Sequence, residues 1–324
     1  MSLLKPLLHA SALLLASTSL LAQPSESLQR LPSDILDVRS PAERVTGAPG
    51  TMRITDRSCR SLPLDDVRRR IVDTATQEWA YFGFSVDEQT RIDPASQPAT
   101  GQVPRRAFSR MSAGDSARLA SSIAGYWAAA PDSDWIVQRQ NDNWNAEGVG
   151  ARWRHAWSAA FISWVMCESG LGESTQFRRA IAHHTYIDQA IRARDGRDTA
   201  SVFTAYDPGE TVIEPGDLLC RGSRPNYRNL AERRTQLGDG ARTHCDIVVK
   251  VDPEAQKIMV IGGNVRGSVR MKVMHAVQDE GKALRPLSDN GRVLFAHLKL
   301  EAPPIALNAL DHTPTVQAFP AAAY

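Results

Sequence analysis

The sequence predicts an α+β protein. Helical periodicity dominates up to about residue 194, apolar–polar alternation dominates after about residue 217, and Gly- and Pro-containing turns separate the alternating runs. The chain has 324 residues, 42% apolar and 23% charged, so it is long enough to bury a sizeable core. Its formal charge of +2 gives no global field that would draw nucleic acid or an anionic membrane, and neither is expected as a partner.

Residues 1–22 read as a secretory signal peptide. Lys5 supplies the positive start, Leu13 to Leu21 the apolar run, and Ala22 precedes Gln23-Pro24 at a plausible cleavage point. The run is short for a membrane span, although an uncleaved anchor is the competing reading. Export implies a periplasmic or extracellular location with no stable membrane insertion after cleavage. It also implies an oxidising compartment for Cys59, Cys167, Cys220 and Cys245, which permit two disulfides in three possible connectivities. Cys220 with Cys245 is the favoured pair because both sit in strands expected to be neighbours. Buried free thiols are the alternative.

Residues 23–60 are rich in Pro, Ser, Arg and Gly and read as an exposed lead-in segment. Residues 61–145 read as a helical extension. A first helix is predicted from Pro63 to Tyr81, with Pro63 in the first turn, Asp65 and Asp66 at the positive end of the dipole, and Val67, Ile71 and Trp79 on the apolar stripe. Residues 85–111 read as a long loop. A second helix is predicted from Ser112 to Ala130, ended by Pro131-Asp132.

The main domain is expected over residues 146–302, with a loosely ordered tail over 303–324. A helix is predicted from Trp157-Ser158 to Gly170, a suitable left-handed terminator, and another from Ser174 to Arg194, stopped by Gly196. Strands are predicted at residues 217–220, 244–251, 257–261, 269–274 and 292–300, with a polar excursion over 221–242.

Four segments carry a resemblance. Trp157-Ser158-Ala159-Ala160-Phe161-Ile162 resembles the Trp-Cys-Ala-Ala-Phe-Val segment of the NlpC/CHAP cell-wall hydrolases. Pro215-Gly216-Asp217-Leu218-Leu219 resembles their first strand, His244-Cys245-Asp246-Ile247-Val248-Val249 their His-containing strand, and Ile261-Gly262-Gly263-Asn264 the strand after it. The order is the superfamily's, over roughly half of the chain. The serine in place of cysteine, together with His183-His184-Thr185-Tyr186-Ile187-Asp188, resembles an uncharacterised exported bacterial family related to that superfamily.

The resemblance implies a papain-like fold, with an antiparallel sheet facing the helix that bears the nucleophile. It also implies hydrolysis of an amide bond in peptidoglycan or a related peptide. Carried over position by position, Ser158 is the nucleophile, His244 the base and Asn264 the orienting group. Serine needs its proton removed during attack, which favours a charged orienting carboxylate. Asp246, two residues along the strand and on the same face as His244, can supply it. The competing reading makes Ser158 a helix N-cap and the domain a pseudoenzyme that binds wall fragments or a protein partner.

Trp157, His155 and His184 are the candidate substrate-binding residues. Core packing is the alternative for the tryptophan, and a capping or packing pair with Asp188 the alternative for His184. No cofactor or metal is expected. The chain alone leaves the oligomeric state open.

Overall fold

A computed structural model describes residues 29–89, 113–279, 281–288 and 292–320. The predicted signal segment, most of the predicted 85–111 loop and the last four residues of the tail lie outside them. In chain order the elements are α1 (Ser33–Leu36), β1 (Val45–Thr46), β2 (Arg53–Ile54), α2 (Val67–Tyr81), β3 (Val86–Glu88), α3 (Ala113–Ala128), α4 (Asp134–Glu147), α5 (Ser158–Glu168) and α6 (His184–Arg194). There follow β4 (Phe203–Tyr206), β5 (Leu218–Arg224), α7 (Leu230–Arg234), β6 (Arg242–Asp252), β7 (Lys257–Val265), β8 (Ser268–Val277), β9 (Arg285–Pro286), β10 (Leu294–Leu300) and α8 (Pro314–Ala318).

The architecture is mixed α+β. The large sheet runs β3-β8-β7-β6-β5-β10-β4, with β9 added on β8. Its pairings are antiparallel except β3 with β8, which are parallel. α5 is buried along its whole length and packs against α2, α3, β6 and β7. Its residues Phe161, Ile162, Trp164, Val165 and Met166 are completely enclosed, and each such side chain contributes on the order of 1.5–3 kcal/mol through its burial. Gly170, at φ 96°, ends the helix in the left-handed conformation expected of it.

The predicted strands all form, each within a few residues of its expected bounds. The Pro215-Gly216-Asp217 turn that opens β5 is held by a buried polar cluster. Asp217 accepts from Arg68 Nη1 at 2.7 Å, from the Leu300 N–H at 3.0 Å and from the Glu214 N–H at 3.0 Å, and its second oxygen lies 2.7 Å from His297 Nε2. That signature therefore ties α2 to the sheet, a structural task with no reacting group in it.

Several expectations need correction. Residues 29–60 are not an exposed lead-in, because Val38, Arg44 and Met52 are buried. Arg44 donates through Nε to Glu168 at the end of α5 at 3.2 Å, which lets a polar-looking segment enter the core as one half of an ion pair. Residues 303–320 are not loose either. Leu310 and Val316 are buried, α8 packs on α2, and Lys250 holds Asp311 at 2.6 Å.

The helix predicted from Pro63 begins as a 3-10 turn at Leu64–Asp66 and becomes α-helical at Val67. The helix predicted from Ser174 begins only at His184. α4 was not predicted, and neither were the short strands β3, β4 and β9.

Cysteines pair as Cys59–Cys167 and Cys220–Cys245. The second pair is the favoured one, and it joins residues directly opposite each other on β5 and β6. Two disulfides are consistent with an oxidising compartment. No helix among the described residues is long and apolar enough to cross a membrane.

Candidate active site

Ser158 is the first residue of α5. Trp157 takes the cap position and makes no capping side-chain bond. Its indole is locked against Phe82 and Tyr126, with ring centroids 5.8 Å away in both cases. Ser158 is thus not the helix N-cap, and its hydroxyl is available to another partner. That partner is His183, whose Nε2 lies 2.7 Å from Ser158 Oγ. Both residues are buried, at 6% and 4% exposure.

His183 precedes the first turn of α6. Its Nδ1 meets the Tyr186 hydroxyl one turn along and accepts from the backbone N–H of Cys245 at 3.3 Å. A backbone N–H can only donate, so Nδ1 carries a lone pair in this arrangement. Burial, and then the neighbouring His244, push the His183 pKa well below the ordinary imidazole value, with Asp246 pulling the other way. The ring is therefore neutral, its hydrogen sits on Nε2, and Ser158 Oγ accepts it.

A second imidazole stands beside the first, with the His183 and His244 ring centroids 5.3 Å apart. His244 lies on β6 opposite Arg221 of β5. Its Nε2 is 2.7 Å from Asp246 Oδ1, and Asp246 Oδ2 accepts from Arg221 Nη1 at 3.0 Å. Burial alone would raise the Asp246 pKa. The Arg221 guanidinium and the His244 contact outweigh it and hold the carboxylate ionised. Burial lowers the His244 pKa, partly offset by Asp246. The His244 side chain, 20% exposed, is the more open of the two rings.

The Gly262-Gly263 pair of β7 makes room for this cluster. A Cβ on Gly262 would sit 1.9 Å from Asp246 Oδ1, and one on Gly263 would sit 2.5 Å from Phe161 Cβ of α5. Side chains there would push the carboxylate and α5 off the sheet.

The sequence-predicted residues divide accordingly. Ser158, His244 and Asp246 gather in one place, and Asp246 rather than Asn264 is the bonded partner of His244. Asn264 lies at the end of β7 with φ 56°. The ring on Ser158 is His183 and not His244. α6 starts only at His184, and His183 at its cap position meets Ser158 at the start of α5.

Trp157 is core, as its alternative reading had it. His155 is half-buried and packs edge-on to Trp135 at 4.8 Å. His184 Nδ1 lies 3.2 Å from the Ala241 carbonyl oxygen, while Asp188 takes two bonds of 2.7 Å from Arg233. The two therefore do not pair with each other. Cys245 is committed to its disulfide. Tyr186 and Arg221 were not anticipated. The His-x-x-Tyr spacing of residues 183–186 places the two rings one helical turn apart and was the available signal.

Among the described residues, no three His, Cys, Asp or Glu side chains converge as a metal site. The family model described as "Uncharacterized protein conserved in bacteria (DUF2272)" matches residues 115–298, more than half of the chain. That span includes Ser158, His183, His244 and Asp246. No curated protein and no solved structure matches the chain.

Proposed function

The chain belongs to this uncharacterized bacterial family, and from that premise we propose that it is an exported hydrolase of amide bonds in peptidoglycan or a related peptide, related to the NlpC/CHAP superfamily. The observation that carries the reading is the 2.7 Å contact between Ser158 Oγ, at the start of a buried helix, and His183 Nε2.

Ser158 attacks the carbonyl carbon and His183 takes its proton. For that, the ring hydrogen of His183 must move to Nδ1, where the Tyr186 oxygen can accept it, and the long Cys245 N–H contact is given up. The negative Asp246, already paired with His244 and Arg221, stabilises the imidazolium that forms. The first-turn N–H groups of α5 have no acceptor within the helix and serve the developing oxyanion. The protonated imidazole then returns its proton to the leaving amine, and water releases the acyl group from Ser158.

The resting proton arrangement favours a second reading. With the Cys245 N–H on Nδ1, His183 donates to Ser158 instead of deprotonating it, and the centre then serves as a binding site for wall fragments or a partner protein.

Purified peptidoglycan separates the two. The hydrolase reading expects the wild type to release new amino groups, and Ser158→Ala and His183→Gln to lose all but a small fraction of that rate. Equal release by wild type and Ser158→Ala removes the serine mechanism, and no release by either removes the hydrolase reading.

A further inference from the structure

A groove of about 510 Å³ lies along one face of α4, away from the polar cluster on β6. Trp135, Gln138, Arg139, Asp142, Asn143 and Ala146 line it at i, i+3, i+4, i+7, i+8 and i+11. They form a single stripe, about 16 Å long at 1.5 Å per residue. Arg154 lines it as well.

The Arg154 side of the groove is bolted to α4. Gln140 Nε2 and Asn143 Nδ2 both donate to the Arg152 carbonyl, at 3.2 and 3.1 Å. Gln140 Oε1 accepts from the Arg154 N–H at 3.0 Å, and Asn143 Oδ1 accepts from Arg154 Nε at 2.6 Å. At one end the Trp135 indole is 49% exposed, with the His155 ring set edge-on to it at 81°. A large exposed aromatic held at a fixed angle, beside a row of amide, guanidinium and carboxylate groups, is the chemistry that stacks on the apolar face of a pyranose and hydrogen-bonds its rim.

We propose that this groove binds a short run of a glycan strand whose sugars carry carboxylates. Trp135 is the stacking platform. Arg139, which has no ion pair among the described residues, is the carboxylate partner, and Asp142, which accepts from Gln138 Nε2 at 3.3 Å, keeps a second oxygen to address hydroxyl groups. Arg154 is already paired with Glu147 at 3.0 Å, so the preference for an anionic chain rests on Arg139. His155 lies three residues before Ser158, so residues 152–157 connect the groove to the start of α5. The identification of the glycan as peptidoglycan rests on the hydrolase reading. The existence of a sugar groove does not.

The test is calorimetric titration of the mature protein with two probes: the disaccharide of N-acetylglucosamine and N-acetylmuramic acid, and neutral chitotetraose. The wild type should bind both saturably and the charged probe more tightly per sugar. Trp135→Ala should weaken both at least tenfold, with an unchanged melting temperature as expected for a half-exposed side chain. Arg139→Gln should weaken the charged probe selectively, and it remains informative if the tryptophan variant does not fold.

Ser158→Ala should bind like the wild type, so loss of hydrolysis and loss of glycan binding are read separately. No saturable binding of either probe to the wild type, or wild-type affinity in both groove variants, overturns the proposal. Equal loss of both probes in Arg139→Gln overturns the carboxylate assignment.

Discussion

At the scale of single residues, the centre is built from proton positions. His183 and His244 both have pKa values pushed down by burial, so both rings stay neutral below the ordinary imidazole value of 6.5. If a neutral ring is the base, kcat/KM should hold through pH 6.5 and fall only in more acid solution. Asp246 raises both ring pKa values. Asp246→Asn should therefore move that acid limb still lower while cutting kcat by about 10²–10⁴, because the imidazolium loses its counter-charge. A pH–rate profile of the two proteins checks this.

A second titration tests the electrostatics far from the centre. Burial raises Asp73 on α2 to a pKa of about 6, only partly offset by Arg69. A carboxyl whose folded pKa lies above its unfolded one contributes stability that is complete below about pH 4 and is lost as pH rises through 6. Asp73→Asn should thus stabilise the protein by on the order of 1–3 kcal/mol at pH 8 and change little at pH 3.5, read by urea unfolding.

Of the residues in the centre, Ser158, His244 and Asp246 were legible from motif order and strand alternation. His183 was not recognised as the partner of Ser158. Its contact depends on where a helix starts, and helix starts are poorly determined without a capping residue.

At the scale of elements, the approach of β7 to α5 and to the imidazole–carboxylate pair depends on two glycines. Gly262→Ala should displace Asp246 and reduce hydrolysis more than tenfold, with His244 losing its bond to the carboxylate. A crystal structure or the His244 ring shifts in NMR would show it. The strands of the main sheet were readable because alternation is unambiguous over seven or more residues. β3 and β4 have three and four residues, too few for a period to show. α4 escaped notice because its inward face carries Gln140, Asn141 and Asn143 among Ile136, Val137 and Trp144. Those amides are buried because they bond backbone groups of neighbouring segments, Met52 and Arg152 among them. Polar residues doing structural work inside the protein erase the apolar stripe that marks a helix in sequence.

At the scale of the whole molecule, residues 29–60 act as a strap over the far end of α5. The Cys59–Cys167 bond and the Arg44–Glu168 pair both fasten it to the last turn of α5. The disulfide closes a loop of 108 residues, so removing it as Cys59→Ser/Cys167→Ser should cost about 2–5 kcal/mol of unfolding free energy. The loss should be visible as a lower urea midpoint. The strap was invisible in composition because its buried residues, Val38, Arg44 and Met52, are scattered singly and its bond to α5 comes from one guanidinium and one cysteine rather than an apolar run. The α+β arrangement was visible because helical and alternating segments follow one another in separate halves of the chain.

The central claim is that Ser158 is a nucleophile held by His183. Its most direct measurement is the intact mass of the protein after exposure to an activated alkyl phosphonate, which bonds covalently to a reactive serine oxygen. The account predicts a single adduct on Ser158 in the wild type, much slower addition in His183→Gln, and none in Ser158→Ala. An unmodified wild type, or an adduct that persists when Ser158 is replaced, would contradict it.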